Sequence, residues 1–295
     1  MNLDYYKRDI NGFIGKYNKI RLLSGVYVVV FVLLFLLWLV SLGMFLIIRT
    51  DIYKIVFIGL SIVTGLYGFI VLILLSMSFS KKHRFMKNDG FKLIKKILAA
   101  ECDCWLQPVA GKVKDVIVKT ELCSRYDAVR DYISFRFNIN DVSGTYIMQQ
   151  TTRQGGNASV DILWGDVMIF SDSVDTTFQI RNKREYFLSK YRYKADFSDY
   201  SNFVYFHKTK PAPKNCRSEK DLFRKLVKLY PEKLKCGIAF HPDTLAFFAN
   251  NKIKYKTVRK LNFDKFQNYL NLYLDALKRI EKVIAVISRH KNYNE

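Results

Sequence analysis

The sequence predicts a membrane-anchored α+β protein. An N-terminal two-helix transmembrane hairpin comes first. A mainly antiparallel β-sheet domain with packed helices follows, ending in a long C-terminal helix. Three observations predict this. Two uncharged apolar runs, Gly25–Ile48 and Ile55–Phe79, stand near the N-terminus. From about residue 112 to 210 the apolar residues recur with a period of two, as in Tyr132-Ile133-Ser134-Phe135-Arg136-Phe137. From Phe263 to Ile287 the spacing becomes helical.

The first run has 24 residues and the second 25. At 1.5 Å per residue the first reaches about 36 Å, enough to cross a hydrocarbon core of about 30 Å with some tilt. Arg49 to Lys54 separate the runs, and so short a turn permits only an antiparallel pair. Asp51 or Thr50 can cap the second helix, and Arg49 suits the negative end of the first. A buried helical hairpin in a soluble core is the competing reading. A signal peptide would have an apolar region of only about 7–15 residues. In the second run Ser61 and Gly65 form a small-xxx-small pair that Gly68 extends. Such a face admits close approach by the first span or by another copy, although glycine is common in membrane helices generally.

Lysine and arginine set the orientation. The arm, residues 1–24, carries Lys7, Arg8, Lys16, Lys19 and Arg21, whereas the turn carries only Arg49 and Lys54. After the second span come Lys81, Lys82, Arg84, Lys87, Lys92, Lys95 and Lys96. Both termini are therefore expected in the cytoplasm, with the chain integral to the cell (inner) membrane. Residues 80–110 read as a basic juxtamembrane helix, interrupted near Asn88-Asp89-Gly90. Its seven cations are the candidate contacts to anionic inner-leaflet lipids, each worth about 1 kcal/mol near the surface. The formal charge of the whole chain is +22. The chain is rich in Lys, Asn, Ile, Tyr and Phe together, a composition that coding bias can produce, and nucleic-acid binding is not expected.

The arm places Tyr6, Ile10, Phe13, Tyr17 and Ile20 at helical spacing. It reads as an amphipathic helix that lies in the interface or feeds straight into the first span. Residues 111–295 form the cytoplasmic α+β domain. Val113, Val116 and Val118 open its strand region, followed by strands around 132–139, 146–148, 160–170, 178–180 and 203–206. The turn at Gln154-Gly155-Gly156-Asn157 and the alternation of polar residues argue an antiparallel meander with one wet face. Pro211-Ala212-Pro213 breaks the domain, and Glu219–Tyr230 reads as a helix stopped by Pro231. Cys236–Phe240 and Thr244–Phe248 bracket a hairpin turn, and Lys252–Val258 alternates again. The closing helix, 263–291, carries Phe263, Phe266, Leu270, Tyr273, Leu277, Ile280, Ile284 and Ile287 at alternating spacings of three and four. That heptad stripe fits dimerisation, but Tyr269, Leu274 and Val283 widen it, which favours packing on the sheet.

No catalytic constellation is found. There is no phosphate-binding loop, dinucleotide glycine fingerprint, nucleophile elbow or His-Glu-x-x-His motif. Asp161 and Asp166 are oddly separated, which puts them on opposite faces of a regular strand, and both read as surface or turn residues. The cysteines Cys102, Cys104, Cys123, Cys216 and Cys236 are odd in number and irregular in placement, as expected of reduced thiols. Cys102-Asp103-Cys104 is too tight for a usual zinc pair, and the four histidines are isolated. Neither enzyme activity, cofactor nor metal is expected. The spans carry no ionisable residue of the kind that marks a transport path.

Three patches carry a family resemblance. Asp141-Val142-Ser143-Gly144-Thr145-Tyr146 is similar to a strand with an acidic residue ahead of a glycine. Trp164–Phe170 is similar to an aromatic-x-Gly strand, and Cys236–Phe248 to a closing hairpin. Together they resemble the bacterial membrane proteins of the family known as domain of unknown function 3137. The resemblance spans most of residues 85–290. It implies a membrane hairpin followed by a cytosolic α+β domain, and it implies no activity or catalytic residues. The basic stretch Lys252–Lys260 departs from it.

The first expectation is a binding or scaffold domain held at the bilayer, recruiting a protein partner or engaging the inner leaflet. The second is an accessory subunit of a channel or transport assembly, in which the hairpin forms a homo-oligomer. An unrecognised enzyme is the third.

Overall fold

The computed structural model describes residues 3–47, 51–102, 104–109, 113–120, 128–155, 158–171, 178–182, 193–196, 203–207, 217–230, 236–241, 243–249 and 260–292. The chain forms two compact units. One comprises residues 1–97 with 258–269, the other residues 98–257 with 270–295.

The first unit is helical. A 3-10 turn, Leu3–Tyr6, leads into α1 (Lys7–Ile47). Of the two placements expected for the arm, feeding straight into the first apolar run is the one observed. With 41 residues α1 is about 60 Å long, twice the thickness of a hydrocarbon core. The second helix, α2 (Asp51–Phe85), starts four residues ahead of the second apolar run, and Lys54 Nζ pairs with Asp51 Oδ1 at 2.8 Å. A five-residue π-turn, Met86–Gly90, joins it to α3 (Phe91–Glu101). The expected break at Asn88-Asp89-Gly90 is thus a widened turn inside one helical run. Gly90 lies under the Phe13 ring, which a Cβ would approach to 3.3 Å. Phe13 also stacks on Phe85, at 4.9 Å between centroids, and meets Phe266 edge-on at 5.7 Å. The Asn18 amide grips the Leu261 backbone twice: Nδ2 donates to its carbonyl at 2.9 Å, and Oδ1 accepts from its N–H at 3.2 Å. Residues 260–269 therefore pack within the same unit as α1, and the segments 1–24, 25–79 and 80–97 are not separate bodies.

The second unit is built on a sheet. Among the described residues nine strands pair antiparallel throughout, in the order β1-β2-β3-β4-β9-β8-β5-β7-β6. They are β1 (Trp105–Pro108), β2 (Ala128–Ile139), β3 (Val142–Gly155), β4 (Ala158–Ser171), β5 (Phe178–Asn182), β6 (Tyr193–Asp196), β7 (Phe203–His207), β8 (Cys236–His241) and β9 (Thr244–Ala249). The other helices are α4 (Val113–Thr120), α5 (Arg217–Val227) and α6 (Phe263–Asn292), whose residues from Leu270 onward belong to this unit. Each strand expected from the sequence within β2–β5 and β7–β9 is present; β1 and β6 were not anticipated, and β1 falls inside residues 80–110, where the expected helix instead ends at Glu101. The stretch Lys252–Val258 lies outside the described residues. β2 and β3 join through Asn140 and Asp141, both at positive φ (50° and 62°). A two-residue hairpin loop with two positive φ values is the type I′ form, whose twist matches the strands and which Asn and Asp tolerate.

Two expectations are corrected. Val113–Thr120 is a helix, not the opening of a strand. Its β-branched residues imitate strand composition, but the buried positions Val113 and Thr120 and the partly buried Val116 recur at helical spacing, and Asp115 complements the helix N-terminus. The sheet is also not wet on one whole face. β8 and β9 are buried along almost their full length. One face packs Ile147, Val167, Ile169, Ala246 and Phe248 with Val113 and Val116 of α4. On the other face Tyr273 of α6 stacks on Phe135 at 5.6 Å. The apolar runs Gly237-Ile238-Ala239-Phe240 and Leu245-Ala246-Phe247-Phe248-Ala249 are the signature of strands covered on both sides. The heptad stripe of α6 is consumed inside the chain: Phe266, Leu270, Tyr273, Leu277, Ile280, Ile284 and Ile287 are all buried. That favours sheet packing over a coiled-coil dimer.

Gly144 permits the close approach of β3 to its neighbours. A Cβ there would sit 2.6 Å from the Ile169 carbonyl oxygen and 2.5 Å from the Phe137 ring. Gly144→Ala is expected to cost about 1–3 kcal/mol, because a strand backbone must move to admit it. Gly15→Ala, in open space on α1, should be neutral or stabilising by up to about 1 kcal/mol. Thermal melting of the full chain in detergent checks both; equal melting temperatures for the two variants would contradict the packing at Gly144.

Candidate membrane-facing site

The described chain contains two helices long and apolar enough to cross a membrane. Their contacts run in antiparallel order. Phe45 stacks on Phe57 at 4.5 Å, Ser24 Oγ meets Ser78 Oγ at 2.5 Å, and the Lys82 ammonium lies 5.3 Å from the Tyr17 ring centre. Less exposed positions recur in α1 at 24, 27, 31, 34, 38, 41 and 45, and in α2 at 57, 61, 64, 68, 71, 75, 78 and 82. Both series alternate steps of three and four, which is the heptad seam of a left-handed helix pair. Three of the hydroxyls on this seam are satisfied locally: Ser24 and Ser78 bond each other, and Thr64 Oγ1 donates to the Leu60 carbonyl at 2.7 Å, whereas the buried Ser41 and Ser61 hydroxyls have no hydrogen-bond partner among the described residues.

The packing residues expected from the sequence divide along this seam. Ser61 and Gly68 lie on it, and Phe31 is the nearest side chain to Gly68, 4.0 Å from where a Cβ would stand. Gly65 is exposed, with nothing within 4 Å. The buried seam residues Thr64, Val71 and Ser78 were missed. Their signal was the three-four spacing, which a uniformly apolar sequence hides. The outward faces stay uncovered: Leu33, Leu36, Leu37, Ile62, Leu66 and Phe69 are examples of side chains at least half exposed.

The seven candidate cations do not form one surface. Lys81, Lys82 and Arg84 fall within the last turn or so of α2, just past the apolar run. Exposed Lys19 and Arg21 stand at the corresponding end of the run in α1. Lys92, Lys95 and Lys96 lie on α3, and Lys96 is about 25 Å further along the helical run than Phe79. That exceeds a Debye length of about 8 Å several-fold. Lys96 has a different partner: its ammonium bonds Asp9 Oδ2 at 2.7 Å. This contact lowers the Asp9 pKa and raises that of Lys96. Lys82 has its pKa lowered by burial and by the nearby Arg21.

The second unit holds a buried ionic cluster. Asp166 on β4 was expected at the surface or in a turn but is 1% exposed. The Tyr146 hydroxyl donates to Asp166 Oδ1 at 2.7 Å and accepts from an Arg279 Nη at 2.8 Å. Arg279 Nε lies 2.8 Å from Asp166 Oδ2. Burial drives the Asp166 carboxyl above its usual range, against the pull of Arg279. Burial and then the Asp166 charge push the Tyr146 phenol well up, so it remains a proton donor. Burial works against the Arg279 cation, but Tyr146 and Asp166 together hold its pKa above the ordinary value. The acid and the phenol are closed to solvent, so the cluster clamps β3, β4 and α6 rather than meeting a substrate. Its signal in the sequence was a carboxylate inside Trp164–Phe170 and an arginine inside the widened stripe of α6. The Asp161 side chain lies outside the described residues.

Two of the histidines make local contacts. His241 Nε2 lies 3.0 Å from the Thr120 carbonyl, at the C-terminus of α4. His290 Nε2 lies 2.8 Å from Ser218 Oγ, linking α6 to α5. Cys102 and Cys104 are partly buried and Cys236 is buried on β8. Cys123 and Cys216 lie outside the described residues. Among the described residues no group of three or more His, Cys, Asp or Glu side chains could hold a metal ion.

No protein-family model, no curated protein and no solved structure matches this chain.

Removing one partner of the buried pair leaves the other uncompensated. Arg279→Met is expected to cost about 3–5 kcal/mol at neutral pH, and the double variant Asp166→Leu/Arg279→Met less. A carboxyl whose folded pKa is raised contributes stability below its unfolded pKa and loses it as pH rises through the folded value. The deficit of Arg279→Met should therefore shrink towards pH 4. Melting the full chain in detergent across that pH range checks this, and a deficit independent of pH would contradict the clamp.

Proposed function

We propose that this chain is an integral protein of the cell (inner) membrane, with both termini in the cytoplasm. Its transmembrane hairpin anchors an α+β domain that works by binding: it recruits a protein partner or engages the inner leaflet. The observation that carries the reading is the uncovered apolar exterior of α1 and α2, set above a ring of cations. An exterior this apolar and continuous marks a surface that something else covers. Lipid fits because both runs match bilayer thickness, neither carries a charge, and Lys19, Arg21, Lys81, Lys82 and Arg84 stand together at one end. These five, rather than the cations of α3, are the leaflet contacts in this reading. The likeness to the domain of unknown function 3137 family points the same way and adds no activity.

Gly65 favours one alternative. It is the small residue left open on the outer surface of α2, where a second copy could approach. In that case the hairpin oligomerises and serves a channel or transport assembly. Scrambling the outward positions of both spans, with hydrophobicity and the seam retained, separates the readings: an anchor tolerates it and a conduit does not.

A reporter enzyme active only outside the membrane, fused after Glu295, should be silent, and the same reporter inserted at the 49–54 turn should be active. Activity of the Glu295 fusion would overturn the topology.

A further inference from the structure

The face of the sheet that carries α4 is filled at its centre and open towards β1. There the side chains leave a cleft of about 280 Å³ within the second unit. Its polar lining is of one kind. Arg136 of β2 enters beside Ser143 and Thr145 of β3, Thr244 of β9 and Thr120 of α4, with Trp105 of β1 at the rim. The strand register places these residues together: Arg136 pairs with Thr145, and Asn138 lies between Trp105 and Ser143. Val116 and Ile169 supply an apolar wall.

Three features give the cleft a ligand preference. First, Arg136 is exposed and has no hydrogen-bond or ion-pair partner among the described residues, so its guanidinium is available for bidentate recognition of an oxyanion. Second, no carboxylate stands among the described lining residues, while hydroxyls from Ser143, Thr145 and Thr244 can donate to the same oxyanion. The Thr120 carbonyl at the end of α4, which would repel an anion, is engaged by His241. Third, Trp105 is 48% exposed on a short edge strand and offers a flat apolar surface beside the cation. A pocket of this size suits a small molecule rather than a polymer.

We propose that this cleft binds a small organic oxyanion, a phosphate monoester or a carboxylate on a flat ring, with Arg136 holding the anionic group and Trp105 stacking on the ring. The proposal does not rest on the anchoring role of the helices. No chemical step is attached to it.

The test uses the full chain in detergent and reads tryptophan fluorescence during titration. The probes are phenyl phosphate, benzoate, inorganic phosphate and phenol. Phenyl phosphate, benzoate or both should give a saturable change below about 10 mM, as expected of fragments with so few atoms. Which of the two binds tighter identifies the oxyanion. Inorganic phosphate should bind more weakly than phenyl phosphate. Arg136→Gln should weaken binding about tenfold or more with the melting temperature retained. Trp105→Phe should abolish the fluorescence response. Thr145→Val, which leaves the cation in place, should weaken binding less than Arg136→Gln. Saturation by neither anion would overturn the proposal, as would equal binding of phenol or unchanged affinity in Arg136→Gln.

Discussion

The constraint on which the first unit depends is the cost of leaving apolar helix in water. From residue 25 to 48 and from 55 to 79 neither helix offers a charge, and one seam is all the apolar surface each gives to the other. The outward faces need an apolar cover, which in the proposed reading is a bilayer. The rest of the unit follows. The helices extend past the apolar runs, α1 from Lys7 and α2 to Phe85. At and beyond the ends of the runs, polar contacts take over the pairing: Ser24 with Ser78, Lys82 over Tyr17, Lys96 with Asp9. The π-turn at Met86–Gly90 adjusts the register so that Phe13 can settle against Gly90 and Phe85.

The second unit answers a different constraint, that of covering a sheet on both faces. Gly144 and Gly237 make room where strands and aromatic rings approach too closely for a Cβ. Asp166 is the one carboxylate among the buried polar side chains of the described sheet, beside Gln149 and Gln179, and it is held by Tyr146 and Arg279. A buried pair of this kind adds little net stability over an apolar replacement, but it penalises any register that separates the partners. In this sheet it fixes where α6 crosses β3 and β4. Further out, towards β1, the covering stops and the cleft around Arg136 begins.

The legible parts of the sequence were those with one dominant periodicity. The apolar runs, the strands of β2–β4, the β8–β9 hairpin and α6 each repeat a single pattern over many residues. α4 was misread because valine favours strands by composition while its spacing is helical, and over eight residues the two signals are close in strength. The seam of α1 and α2 was hidden because a helix that is apolar all round shows no stripe. The Asp166–Arg279 pair needed two elements more than a hundred residues apart to be brought together, and each residue alone resembles a surface position. The cleft was illegible for the same reason, since its residues come from five strands and one helix and carry no motif.

The central claim of the proposed reading is that α1 and α2 cross the membrane with the 49–54 turn outside and both termini inside. All five natural cysteines lie beyond residue 98. A membrane-impermeant maleimide applied to intact cells should therefore leave the natural chain unlabelled and label an Asp51→Cys variant, with both labelling once the membrane is opened. Labelling of the natural chain in intact cells, or protection of Asp51→Cys there and exposure only on lysis, would contradict the account.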